Sequence, residues 1–398
     1  MKPHPVKCGC GTCLPRLLTT LSLSARLLLI LGPPSTVLLV GLLSPTAALL
    51  TPLTFTPSLY LYHRYRLSNN QNHTDSSSLR RHAPFEPLLW TGITVGTFVP
   101  ALAAIFQLGI CKLATLILFG SRLQSTPLEQ LFISEFQRTS VQGVAEEALV
   151  KRWALARSWG NWGFNLVLSF LAAGAVEEVF KYLPVVWARW QDGKKKKGSQ
   201  SPGVRGEDEK REGQGKGSVN VVETQWRGNR AYIDFALAGT LGFGLVEAIG
   251  FIYGSCVLPE RERGWGMLIL TVFERVAGQM GHLALAALAG VRATRREFYA
   301  HVKGADGEEG CTKESSFGWC SDVWPSVFFH GLADFMALSA SAMEGHVGFI
   351  HPKERRLVGG MLGTVAVVWA MAFGQLRKEW KELDRLDGLA VEKEKGNR

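Results

Sequence analysis

The sequence predicts an all-α fold: a polytopic transmembrane helical bundle with about seven or eight spanning helices. Three observations carry that prediction. Of 398 residues, 46% are hydrophobic and only 20% charged, less charge than a soluble domain usually carries. The charges are segregated, leaving several runs of about 20 apolar residues, the length that crosses a bilayer core. The basic residues sit beside those runs, as the positive-inside rule expects. The net charge of +10 therefore reads as membrane topology, and no nucleic-acid partner is expected.

Residues 1–87 read as a hydrophobic anchor followed by a basic loop. Pro33, Pro34, Pro45, Pro52 and Pro57 interrupt the apolar stretch, which has room for one or two spans. No acidic residue precedes Asp75. A transit peptide shares that feature, but the leucine content favours an N-terminal membrane helix. Cys8, Cys10 and Cys13 form "CGCGTC". No nearby Cys or His pair completes a zinc pattern, so lipidation or no role at all is expected. Cys111, Cys256, Cys311 and Cys320 are scattered and suggest no disulfide framework.

Region 88–160 contains Leu88 to Phe119, read as one long or broken span. It also contains an amphipathic stretch opening on Thr126 as cap, Pro127 in the first turn and Glu129 at the capping-box position. That stretch is expected on the membrane surface or over the bundle, without chemistry of its own. Region 161–345 carries spans at Trp162 to Trp187, Tyr232 to Gly254, Trp265 to Gly290 and Val323 to Met343. A Gly-, Lys- and Glu-rich insertion at 191–225 has almost no apolar residues and is expected to be disordered. Region 346–398 holds a last span, Leu357 to Leu376, and a charged tail. Placing the basic loops in the cytosol puts 259–264 and 344–356 on the other side. The expected location is an endomembrane, endoplasmic reticulum or Golgi rather than mitochondrion, with the lipid bilayer as a partner.

Ionisable residues inside apolar runs are costly, about 2.5–3.5 kcal/mol each on insertion scales, and usually serve a purpose. "GAVEEVFKYLP" places Glu177 and Lys181 four residues apart on one helix face, with Glu178 three residues from the same lysine. The 232–254 span carries Glu247 deep and Asp234 near an end, with Phe243 one turn before Glu247. Arg275, Gln279 and His282 form one polar stripe, and "HGLADF" puts His330 and Asp334 on one face. Counted at 1.5 Å per residue from the cytosolic ends, Glu177, His282 and His330 lie about 10–15 Å deep and Glu247 about 18–20 Å. A lone Glu–Lys pair can be a structural clamp, and a lone membrane histidine is often a helix–helix hydrogen bond. In four spans at similar depth, the set points to a functional site.

Taken in order, "EEVFK" at 177–181, "GFGLVE" at 242–247, "GHLALAALAG" at 281–290 and "HGLADF" at 330–335 resemble the PrsW family of intramembrane proteases, related to the type II CAAX prenyl endopeptidases. The resemblance spans about residues 160–345. It departs from many relatives at Ala248, where they carry Asn after the Glu, and in the long insertion between the first two motifs. The resemblance implies hydrolysis of peptide bonds in or near a membrane segment of another membrane protein. A glutamate can serve as general base on water, here Glu177 or Glu178, with Lys181 orienting the pair. The histidines either bind a metal, with Glu247, His282 and His330 as a possible Zn2+ set, or donate hydrogen bonds to an oxyanion. The catalytic candidates are thus Glu177, Glu178, Lys181, Glu247, His282, His330 and Asp334. No His-Glu-x-x-His helix, Gly-x-Ser-Gly motif or aspartyl Tyr-Asp partner is present in the sequence. Two rivals remain: a proton-coupled transporter using the same residues as a relay, and an inactive protease-like protein that binds membrane clients.

Overall fold

The computed structural model describes residues 21–72, 82–120, 126–137, 145–198, 230–257, 265–299 and 318–396. Among them there is helix and no strand. In chain order the helices are α1 (Leu23–Leu43), α2 (Pro45–Leu50), α3 (Thr56–Asn72), α4 (Phe85–Phe119), α5 (Pro127–Phe136), α6 (Glu146–Ala156), α7 (Trp159–Val167), α8 (Val176–Gly198), α9 (Ala231–Val257), α10 (Trp265–Tyr299), α11 (Gly318–Met343) and α12 (Arg355–Gly396). A 3-10 turn, Thr51–Phe55, follows α2, and a π-helical segment, Leu168–Ala175, joins α7 to α8.

Among the described residues, six helices are long and apolar enough to cross a membrane: Leu23–Leu43, Phe85–Phe119, Trp159–Asp192, Ala231–Cys256, Gly318–Met343 and Arg355–Leu389. With their exposed leucine, isoleucine and phenylalanine side chains, they point to an integral multi-pass membrane protein, because soluble proteins rarely expose apolar surface so continuously. The expected 88–119 span is a single helix that passes through Pro100 without ending. The 162–187 span is part of a longer rod that includes the π segment. The expected insertion at 191–225 begins inside α8, which runs to Gly198; residues 199–225 lie outside the described residues. So do Cys8, Cys10, Cys13 and Cys311, whereas Cys111, Cys256 and Cys320 are free thiols.

Small residues let the central helices approach. Helices α4 and α9 cross at Gly92, Gly96 and Gly242, where a Cβ on Gly242 would lie 1.8 Å from the Gly92 carbonyl oxygen. That oxygen belongs to backbone and cannot swing away, so the two helices must part to admit a methyl group. Gly242→Ala is therefore expected to cost about 3 kcal/mol, read as a lower melting temperature in detergent. An unchanged melting temperature would mean that the crossing is looser than described.

Charged clusters close both ends of the bundle. At one end Arg230 bonds Asp384 and Asp387 at 2.8 and 2.7 Å. Arg296 meets Asp322 at 2.6 Å, and Tyr182 donates to the same Asp322 at 2.7 Å. At the other end the Arg152 guanidinium, 1% exposed, bonds the Glu135 carboxylate and the Val347 carbonyl. This pair docks α5 and α6 over the bundle. Phe132 follows them into a cluster with Phe119 and Phe164. Thr126 does cap α5, its Oγ1 accepting from the Glu129 N–H at 3.2 Å. Between the two charged ends lies one further set of ionisable groups.

Candidate active site

The local sequence explains how that set is brought together. The π segment ends immediately before α8, and its wider turns reset the helix phase ahead of Glu177 and Glu178, a placement such segments often have at functional sites. It packs against α11 through two glycines. A Cβ on Gly331 would fall 2.5 Å from the Phe170 ring, and one on Gly174 would fall 3.0 Å from the Val327 carbonyl. The glycine after His330 thus lets α11 lie close enough for its histidine to reach α8.

Lys181 is the hub. Its Nζ donates to Glu177 Oε2 at 3.0 Å and Glu178 Oε1 at 3.2 Å, and lies 3.2 Å from His282 Nδ1. An ammonium has donors only, so in that contact Nδ1 is the acceptor and the neutral His282 ring carries its proton on Nε2. This Nε2 faces Glu247 Oε2 at 3.8 Å. The lysine also sits over the Phe243 ring at 4.5 Å, a cation–π contact that gives Phe243 a physical task one turn before Glu247.

Glu178 holds the other histidine: His330 Nδ1 lies 2.9 Å from Glu178 Oε1. The opposite ring nitrogen, Nε2, faces Asp334 Oδ2 at 3.4 Å and Glu177 Oε2 at 3.9 Å. The two imidazole rings stand 4.7 Å apart, edge to face. Glu177, Glu178, Lys181 and His330 are buried. Glu247 and Asp334 are more open, with 24% and 42% of their side chains exposed. All seven sequence-predicted residues therefore fall into one connected cluster drawn from α8, α9, α10 and α11. Asp234 does not belong to it. It accepts the Ala83 N–H at 2.8 Å and faces His82 at 3.1 Å, tying down the segment that leads into α4.

Two neutral amides join the cluster. Gln107 on α4 donates to Glu177 Oε1 at 2.9 Å. Its one signal in the sequence is a lone amide inside an otherwise apolar run. Gln279 lines a cavity of about 20 Å³ together with Gly244, Glu247, Arg275 and His282, room for one water molecule.

The arrangement regroups the expected metal donors. Among the described residues, the three whose ligand atoms come within 4.8 Å of one another are Glu177, His282 and His330, with Glu247 outside that group. The donor types suit zinc, but Lys181 already engages Glu177 Oε2 and His282 Nδ1. An ammonium and a zinc ion would compete for Glu177 Oε2 and His282 Nδ1, whereas the Nε2 atoms of His282 and His330 are not engaged by Lys181. No family model, curated protein or solved structure matches this chain.

Proposed function

We propose that this chain is an intramembrane endopeptidase of the glutamate type, akin to the PrsW proteases its motifs resemble, cutting a membrane-embedded or membrane-proximal segment of another membrane protein. The observation that carries the reading is the convergence of two glutamates and a lysine of α8 with one histidine each from α10 and α11 into one mutually bonded cluster. In this reading α10 is a seventh span. It is 35 residues long, about 52 Å at 1.5 Å per residue, and ion pairs flank its apolar middle: Glu274 with His351 on one side, Arg295 with Glu379 on the other.

Glu177 is the general base. Glu178 Oε1 is taken by Lys181 and His330 and faces His282 Nδ1 at 3.8 Å, whereas Glu177, its Oε2 also held by Lys181 at 3.0 Å, looks toward His330 Nε2 across 3.9 Å. The Glu177 carboxylate takes a proton from water as the water oxygen bonds to the substrate carbonyl carbon. The C=O electrons move onto its oxygen, and the His282 Nε2–H stabilises that oxyanion. Collapse breaks the C–N bond, and the proton held by Glu177 passes, directly or through His330 Nε2, to the leaving nitrogen. Water has then added hydroxyl to carbon and hydrogen to nitrogen. Glu178 orients His330, and Lys181 offsets the negative charge that four carboxylates would otherwise concentrate.

The test is cleavage by purified full-length protein in lipid nanodiscs of a polyleucine single-span peptide with a central Gly-Pro pair and a fluorophore–quencher pair. Cleavage is expected, and it is expected to persist with a zinc chelator present. Loss of activity on chelation, restored by zinc, would sink the metal-free mechanism; no cleavage of any membrane peptide would sink the peptidase reading.

A further inference from the structure

Gln279 stands one turn before His282 on α10 and is only 2% exposed. Neither its Nε2 nor its Oε1 has a hydrogen-bond partner. Among the described residues, no protein group therefore takes up its donor or its acceptor. It faces the one-water cavity that Glu247 and His282 also line. The wall is shaped for it: a Cβ on Gly244 would lie 3.2 Å from Gln279 Cγ and 3.4 Å from Nε2. On the flank, no other helix among the described residues comes within 4 Å of where Gly278, which also lines the cavity, would carry a Cβ. Beside it the Arg275 guanidinium rests on the Phe251 ring at 3.7 Å.

A carboxamide presents an N–H donor and a C=O acceptor on one edge. One peptide group of an extended chain presents the complementary pair. A peptide group inside a helix does not, because its N–H and C=O are committed to bonds four residues away.

We propose that Gln279 is the backbone-binding group of the substrate site, pairing with the C=O and N–H of one peptide unit beside the scissile bond. This deepens the peptidase reading and rests on it. Gln279 thereby selects segments that are extended or locally unwound, whatever their side chains. It binds ground state and transition state alike, so its loss raises KM and leaves kcat nearly unchanged.

The experiment uses the full-length protein in nanodiscs and the same polyleucine peptide, remade with single backbone amides near the cut replaced by esters, each of which deletes one N–H. Wild type and Gln279→Met are compared. At one backbone position the ester is expected to raise the wild-type KM about tenfold. Gln279→Met should start from a KM raised by a similar factor and be indifferent to that ester. Gln279→Asn, which withdraws the amide by one methylene, is read in the same way if the Met variant does not fold. Equal ester effects in wild type and variant at every position would overturn the assignment while leaving the peptidase reading intact. A wild type that cleaves nothing would overturn both.

Discussion

Glu177→Gln is expected to lower the rate of peptide cleavage about a thousandfold and to leave the protein folded. The magnitude is that of a general base, and the geometry says why the effect falls on this residue. Glu178 is the more enclosed carboxylate, its side chain 3% exposed against 10% for Glu177, and its Oε1 is shared between Lys181 and His330. Glu177 is bonded by Lys181 and Gln107, and a glutamine in its place keeps the size and one acceptor oxygen. The readout is kcat on the single-span peptide together with the melting temperature. A variant that keeps a tenth or more of wild-type activity would move the base to Glu178 or Glu247.

Lys181→Met should destabilise the protein by about 3–5 kcal/mol, because removing one partner of a buried ion pair strands the other charge. Here two carboxylates are stranded, Glu177 and Glu178, on a helix face in the middle of an apolar rod. Adding Glu177→Gln and Glu178→Gln to the same chain should restore most of the melting temperature without restoring any cleavage. That pairing separates a lysine that holds the site together from one that is ornamental. If Lys181→Met melts like wild type, the three-way contact is not formed in the folded protein.

The bundle and the seven predicted residues were legible because an ionisable group inside an apolar run is an anomaly that spacing alone exposes. Glu177, Glu178 and Lys181 sit three and four residues apart, and the helix brings them together without help from the rest of the chain. What lay beyond the sequence depends on how helices face one another. By counting, Glu247 lies somewhat deeper than the others, and it is Glu177 that stands beside the two histidines, because the π segment sets the rotation of α8 and has no periodic signature. Gln107 is uncharged, so it does not stand out from its apolar surroundings, and Gln279 shows in the sequence only as one member of the stripe with Arg275 and His282. Among the described residues, six helices meet the length and apolarity of a span, against the seven or eight expected. The difference turns partly on α10, whose Glu274, Arg275, Arg292, Arg295, Arg296 and Glu297 dilute an otherwise apolar helix.

The central claim is that this buried cluster adds water to a peptide bond. The most direct measurement is mass spectrometry of the single-span peptide after incubation with the nanodisc-embedded protein in water enriched in oxygen-18. The account predicts two new fragments, the new carboxyl terminus carrying one heavy oxygen, with wild type and not with Glu177→Gln. An intact peptide with both proteins, alongside proton flux through wild type in sealed vesicles, would contradict it and point to a relay that moves protons rather than cutting chains.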